Sequence, residues 1–148
     1  MLLTYSYKAT VVRCIDGDSV ILDIDCGFDV QLKAQSVRLY GIDTAETRGG
    51  TPELKVLGNL AKDYVAQMIP VGSEVLLKTH LDKKGKFGRI LAEIYMPETV
   101  GVEGYQEKSL NQILLDELLA VPYHGQSKED IINQHLIHVE HHKAEGRI

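Results

Sequence analysis

The sequence predicts an α+β fold that is mainly β, a five-stranded OB-fold barrel with three helices. Three strand-like segments precede one amphipathic helix and two more follow it, which is the element order of an OB-type barrel. Two further helical segments follow, so one helix lies between strands 3 and 4 and two are C-terminal. The 148 residues are 44% hydrophobic and 25% charged, which fits one domain over residues 1–148 and excludes disordered and collagen-like classes.

The first three strands follow from residue type, alternation and turns. Residues 7–15 are rich in Val, Thr and Tyr and end at the turn Asp16-Gly17. Residues 20–26 alternate between apolar and more polar positions, the period of a half-buried strand. Gly27-Phe28-Asp29 turns the chain again before a third strand at residues 30–40. We therefore expect a three-stranded meander.

The next segment is helical. In residues 53–69 the apolar side chains recur three and four positions apart, and Pro52 suits a first helical turn. Pro70-Val71-Gly72 ends this helix. Two more strands are predicted at residues 74–79 and 89–95, joined by a basic hairpin loop.

The C-terminal part is predicted to contain a loop and two helices. Residues 96–106 form the loop, and residues 108–119 have apolar positions at helical spacing. Ser127, followed three residues later by Asp130, resembles a capping box and opens a last helix that runs to about Glu145.

The last helix is crowded with histidines, which are His135, His138, His141 and His142. The spacing of residues 135, 138 and 142 would allow a transition-metal site. We favour a structural interpretation, in which the histidines lie beside an apolar core stripe. That stripe is predicted to consist of Ile131, Ile132, Leu136 and Val139.

Bulk features bear on the cellular context. Cys14 and Cys26 form no CxxC pair and have no histidine at zinc-ligand spacing, so we expect free thiols in a reducing compartment. The N-terminal segment lacks the charged start and apolar core of a secretory signal, and no stretch approaches ~20 apolar residues. We expect a cytoplasmic monomer that binds no membrane, and secretion only if a leader was removed.

The charge balance is acidic, with 21 acidic and 16 basic residues and a formal charge of −5. Taken alone, this balance argues against nonspecific nucleic-acid binding, which requires basic surface. The basic residues are concentrated, however, because residues 78–89 carry a local charge of +4. The acidic balance therefore limits the strength of phosphate contacts without excluding a polyanionic substrate.

Charged residues collect where predicted strands end. Asp18 shares its side-chain direction with Val20 and Leu22, and a carboxylate on an apolar face is costly unless it is paired or binds a metal. The alternative is an Asx-type turn, in which Asp18 accepts bonds from backbone amides.

A second group of charged residues follows the third strand. Arg38 lies on that strand, and Asp43 and Glu46 follow where it breaks. Carboxylates suit a hard divalent cation, and arginine binds phosphate through two parallel hydrogen bonds. A surface ion-pair cluster is the alternative for this segment. Arg89, at the start of the fifth strand, could face the same barrel mouth as Arg38.

Three motifs taken together resemble the staphylococcal nuclease (thermonuclease) family. They are D-G-D-S, R-L-Y-G-I-D-T-A-E and K-F-G-R-I-L-A-E-I-Y, in that order. The resemblance runs from about Tyr7 to the end of the sequence. It implies one calcium ion per domain, bound by the carboxylates of Asp18 and Asp43 and the backbone carbonyl of Thr44. It also implies that Asp16 orients metal-bound water.

The resemblance implies catalytic and substrate-binding roles as well. Glu46 would hold the attacking water and act as general base, while Arg38 and Arg89 would clamp the scissile phosphate. The residues expected to bind substrate are Lys84, Lys86, Phe87 and Tyr123. Phe87 stands where the family often has tyrosine, and Ala45 where it commonly has proline, so these departures bear on substrate affinity and preference.

The implied function is calcium-dependent hydrolysis of DNA or RNA to 3′-phosphate and 5′-hydroxyl ends. Two other functions compete with it. One is a noncatalytic nucleic-acid or protein-binding module of the same family, which we would expect to lack some of the carboxylates or arginines. The other is a plain OB-fold single-strand binder, which would favour exposed aromatic residues. The sequence keeps all five catalytic and ligand side chains together with Thr44, which favours the enzyme.

Overall fold

The structure is a computed structural model that describes residues 5–80, 89–99 and 102–148. The elements in chain order are β1 (Ser6–Asp16), β2 (Ser19–Asp25), β3 (Gln31–Leu39), β4 (Ile42–Asp43), α1 (Pro52–Met68), β5 (Glu74–His80), β6 (Ile90–Tyr95), β7 (Pro97–Thr99), β8 (Val102–Tyr105), α2 (Leu110–Asp116), β9 (Val121–Pro122) and α3 (Lys128–Ala144).

Five strands close into a barrel in the order β1-β2-β3-β6-β5. The pairings are antiparallel except between β3 and β6, which run parallel and close the barrel. Two-residue periodicity sends alternate side chains inward, so Val20, Leu22 and Ile24 on β2 are buried. The predicted five-stranded OB-type barrel with three helices is confirmed.

Helix α1 covers one end of the barrel. Thr51 caps it by accepting a hydrogen bond from the Leu54 amide, and Pro52 occupies the first turn as predicted. Leu57, Ala61 and Val65 are fully buried on the face predicted from their spacing. Helix α1 is the helix predicted between the third and fourth barrel strands from the spacing of apolar residues in residues 53–69.

The helix backbone approaches the barrel at Gly58. A Cβ built on Gly58 would lie 2.5 Å from the carbonyl oxygen of Glu46 and 2.6 Å from that of Ala45. Gly17 shows a similar approach, because its Cβ would lie 2.8 Å from the Cβ of Ala61. The absence of side chains at these two glycines therefore sets how closely α1 packs against two loops at the barrel end.

Helix α2 is shorter than the predicted span of residues 108–119. The chain leaves the helix after Asp116, and Leu118 adopts a positive φ of 57°, while the amides of Leu119 and Ala120 both donate to the carbonyl of Leu114. The helix is anchored by the buried amide of Asn111. Its Nδ2 donates to the Tyr40 carbonyl at 2.9 Å, and its Oδ1 accepts from the Ile94 amide at 3.1 Å.

Two short strand pairs were absent from the sequence prediction. The predicted loop at residues 96–106 contains the β7–β8 hairpin, and β4 pairs with β9. These strands are too short to show an alternating pattern. Cys14 and Cys26 are free, half-buried thiols as expected, and burial raises the pKa of Cys14 to about 11. Among the described residues, no helix has the length and apolarity needed to span a membrane.

The predicted apolar stripe of α3 is wrong at two of its four positions, whereas Val139 is buried as predicted and Ile131 is half-buried. The buried residues of this helix are His135, Val139 and His142, whereas Ile132 and Leu136 are 36% and 37% exposed. His135 and His142 are part of the packed face, where the Nε2 atom of each ring has a hydrogen-bond partner. His142 contacts the Leu118 carbonyl oxygen through Nε2 at 2.9 Å and Arg147 through Nδ1 at 3.3 Å. Within the described part of the chain, no three His, Cys, Asp or Glu residues are placed to hold a metal.

The contact at Gly58 yields a stability prediction. We expect Gly58→Ala to destabilise the protein by about 1–3 kcal/mol, because the added methyl group meets backbone atoms that cannot rotate away. Urea unfolding followed by circular dichroism measures this change. The matched control is Asn59→Ala at the exposed neighbouring position. We expect nearly unchanged stability there, because the better helix propensity of alanine offsets the loss of the exposed bond from Asn59 to the Lys55 carbonyl. Equal stability of Gly58→Ala and the wild type would contradict the close approach.

Candidate functional site

A groove lies at one end of the barrel, between the start of α1 and the face of α3. Its volume is about 430 Å³. Its lining includes the charged residues Arg38, Asp43 and Glu46 and the apolar residues Leu54, Ile131 and Ile132. We call these two groups of side chains the charged end and the apolar part of the groove.

Arg38 is the centre of the charged end. Its Nη1 lies 3.2 Å from Asp18 Oδ2, and its Nη2 lies 3.5 Å from Asp43 Oδ2. The same Nη2 donates to the carbonyl oxygen of Ile42 at 3.3 Å. The guanidinium thus binds two carboxylates from different strand ends, which are two of the three acidic residues predicted to converge on it. The Arg38 side chain is 18% exposed and that of Asp18 10%, which excludes a loose surface ion pair.

Asp18 directly precedes β2 and is buried, as its shared direction with Val20 predicted. Its Oδ2 also accepts a hydrogen bond from the backbone amide of Thr44 at 3.2 Å. Burial raises the pKa of Asp18 above its ordinary value, although Arg38 and the Thr44 amide act in the opposite direction. The bond from Thr44 joins two segments that are 26 positions apart in the sequence. The Asx-type turn, in which Asp18 would accept bonds only from nearby amides, therefore does not account for its contacts.

Asp43 is held from two sides. Arg38 contacts its Oδ2, and the Nε2 atom of His135 lies 2.8 Å from its Oδ1. His135 is 3% exposed. No contact of His135 with Asp43 was predicted from the sequence. The only sequence signal was the spacing of His135, Val139 and His142, which lie four and three residues apart on one helix face.

Glu46 is exposed and lines the groove. Its loop is tied to the end of β1, because the Thr47 hydroxyl donates to Asp16 Oδ1 at 2.8 Å. Asp16, which the resemblance predicts to orient metal-bound water, accepts this bond from the residue that follows Glu46. A Cβ built on Gly49 would lie 3.6 Å from Glu46 Oε2, so the loop also folds back beside the carboxylate.

The other predicted site residues have different outcomes. Tyr123 lies in the groove, with its ring centre 5.7 Å from the guanidinium carbon of Arg38. Arg89 is exposed and directly precedes β6, whose first residue pairs with Val37 on the strand of Arg38. This pairing places the Arg89 backbone beside the strand of Arg38. Three predicted substrate-binding residues lie outside the described residues, namely Lys84, Lys86 and Phe87.

The donor set suits a hard divalent cation. Asp18 and Asp43 supply carboxylate oxygens that contact one shared guanidinium, and Thr44 adds a backbone carbonyl in the adjoining segment. Calcium and magnesium prefer such oxygen ligands and complete their coordination with water. The buried Thr44 Oγ1 has no partner among the described residues, so the segment also retains an unused oxygen. The residues present therefore fit the cation that the sequence resemblance implies.

Comparison with known proteins gives consistent matches. The sequence profile of the staphylococcal nuclease homologue family matches residues 36–147. The chain is 32% identical to a thermonuclease from Staphylococcus hyicus over 103 residues, which cover 70% of this chain and 53% of that protein. It is 34% identical to a thermonuclease from Staphylococcus intermedius over 86 residues, covering 58% and 47% respectively. The aligned part spans about half the length of these two relatives.

The raised pKa of Asp18 yields a prediction for Asp18→Asn. In the absence of divalent cations, this change should stabilise the protein at pH 7, because burial disfavours the ionised carboxylate. An asparagine oxygen can still accept from Arg38 and the Thr44 amide. Because the pKa of Asp18 is raised in the folded state, the wild-type carboxylate destabilises the protein only at pH values at which it would be ionised. The stability advantage of Asp18→Asn should therefore shrink as the pH falls through the raised pKa, and it should disappear below about 3.8, the ordinary pKa.

Urea unfolding in EDTA at pH 7 and at acidic pH measures this difference. Asp63→Asn on the exposed face of α1 is the control, and we expect it to change stability little at either pH. A destabilised Asp18→Asn variant at pH 7 would contradict the prediction and indicate that the ion pair with Arg38 outweighs desolvation.

Proposed function

Because the chain belongs to the staphylococcal nuclease homologue family, we propose that it is a calcium-dependent nuclease that hydrolyses phosphodiester bonds in DNA or RNA. The proposed products carry 3′-phosphate and 5′-hydroxyl ends. The observation that carries this proposal is the contact of Arg38 with both Asp18 and Asp43 at the charged end of a groove lined by Glu46. Phosphate binding, cation binding and base catalysis would then occur in one place.

Arg38 would bind and stabilise the scissile phosphate. Attack on a phosphodiester adds negative charge to the phosphoryl oxygens, so a positioned cation stabilises the transition state more than the ground state. The guanidinium is already fixed by the Ile42 carbonyl and by two carboxylates, which reduces the reorganisation needed when substrate binds. Arg89 would add a second positive charge from the neighbouring strand.

Glu46 would accept the proton of the attacking water. Its carboxylate is exposed and lines the groove, so water can reach it. The bond between Thr47 and Asp16 and the close packing of Gly58 hold its backbone. A general base contributes typically ~10²–10⁴-fold to a rate, so Glu46 would account for part of the catalysis.

One calcium ion would be held by Asp18, Asp43 and the Thr44 carbonyl. Such an ion, when bound, stabilises negative charge on a phosphoryl oxygen and lowers the pKa of coordinated water. Asp18 and Asp43 would keep the charge of this region near neutral in its presence, because their two negative charges match the two positive charges of the ion. The carboxylate set alone permits magnesium as well, and calcium is proposed from the family resemblance.

The apolar part of the groove would accept a nucleoside next to the scissile phosphate. Leu54, Ile131 and Ile132 line this part, and Tyr123 presents an aromatic ring near Arg38. Aromatic stacking tolerates any base because every base has a π-face. Lys84, Lys86 and Phe87 are proposed to contact substrate further along the basic segment. This arrangement supports cleavage of many sequences rather than recognition of one.

The decisive experiment incubates the purified chain with single-stranded and double-stranded DNA and RNA, in CaCl₂ or in EDTA. We expect cleavage of at least one substrate in calcium and none in EDTA. Products with 3′-phosphate ends should support primer extension only after phosphatase treatment. If no substrate is cleaved but DNA or RNA is retained in a filter-binding assay, the chain is instead a noncatalytic binding module of the family.

The role of Glu46 is tested with Glu46→Gln. We expect kcat to fall by ~10²–10⁴-fold, because glutamine cannot accept the proton. Calcium-dependent binding of an oligonucleotide should remain, since Arg38, Asp18 and Asp43 are unchanged. Glu53→Gln is a matched control, because Glu53 is an exposed residue of the first turn of α1 whose partner is Lys143. Full activity of Glu46→Gln would remove Glu46 from the mechanism.

A further inference from the structure

We propose that His135 is a positioning residue that orients Asp43 for cation binding, an inference that rests on the proposed function. His135 lies on α3, and its Nε2 atom is 2.8 Å from Asp43 Oδ1. The two residues are 92 positions apart in the sequence. The bond therefore connects the C-terminal helix to a carboxylate at the charged end of the groove.

The direction of this hydrogen bond follows from its acceptor. An ionised carboxylate only accepts hydrogen bonds, so the Nε2 atom of His135 must carry the hydrogen. The other ring nitrogen, Nδ1, is buried and has no partner among the described residues. The histidine side chain is 4% exposed, so water has little access to replace this donor. The bond to Asp43 is thus the contact that satisfies the buried Nε2 atom.

The two oxygens of Asp43 have separate partners. His135 holds Oδ1, while Oδ2 faces Arg38. The backbone of Asp43 belongs to a strand of two residues, β4, which pairs with Val121 and Pro122 of β9. Such a short strand constrains the carboxylate weakly, so the side-chain contacts determine its rotation. Hydrogen-bond partners of metal-binding carboxylates commonly orient them and tune cation affinity.

His142 provides an internal comparison. It lies two helical turns after His135 on the same buried face, and it is fully buried. Its partners are the Leu118 carbonyl and the Arg147 side chain, neither of which belongs to the groove lining. Loss of His142 should therefore weaken the packing of α3 without changing the orientation of Asp43.

The test compares His135→Leu, His135→Gln and His142→Leu in the full chain. Calcium affinity is measured by titration calorimetry with CaCl₂ alone, and stability by urea unfolding in EDTA. We expect His135→Leu to weaken calcium binding about 10–100-fold, because leucine fills the space but donates no hydrogen bond. His135→Gln should keep most of the affinity, since its amide nitrogen can donate from a position close to that of Nε2. His142→Leu should lose stability and keep wild-type affinity.

The other possible outcomes distinguish a positioning role of His135 from a role in packing alone. Equal calcium affinity of His135→Leu and the wild type overturns the positioning role, as does equal weakening by His135→Gln and His135→Leu. Weakening by His142→Leu comparable to that of His135→Leu shows a general loss of packing and also overturns it. If His135→Leu does not fold, His135→Asn replaces it, because asparagine is polar but too short to reach Asp43. No calcium binding by the wild type overturns the calcium part of the proposed function instead.

Discussion

The guanidinium of Arg38 bonds to Asp18, to Asp43 and to the backbone of Ile42. It therefore joins its own strand, β3, to the turn before β2 and to β4 at one end of the barrel. Two partly buried carboxylates this close to one positive charge would repel each other in its absence. Removing Arg38 would leave both carboxylates without a compensating charge, which is strongly destabilising. The closed end of the barrel and the candidate site therefore depend on the same interaction.

The backbone contacts of α1 impose a second constraint on this end. Gly58 lies against the carbonyl groups of Ala45 and Glu46, and Gly17 lies against Ala61. The helix thus packs closely against both loops that carry the acidic residues. This backbone packing constrains the position of Glu46, whose own side chain is exposed.

Sequence patterns predicted the parts of the molecule in which one rule repeats over many residues. The barrel strands and α1 show clear periodicity, and the parity of Asp18 with Val20 correctly placed its side chain. The β4–β9 pair could not be predicted, because two residues have no period and their partner is remote. The contact of His135 with Asp43 was missed for a related reason. Nothing local to a helix shows that a polar ring will be buried against a distant carboxylate.

The packing of α3 connects these observations. Its buried face contains two histidines and one valine, so hydrogen bonds supplement a small apolar contact. His142 binds the segment after α2, and His135 binds Asp43 beside the groove. A hydrogen bond requires closer alignment than an apolar contact, because it weakens steeply as its angle changes. In the observed position of α3 both contacts form, and Ile131 and Ile132 of the same helix line the groove. The packing of the C-terminal helix and the geometry of the groove therefore depend on the same contacts.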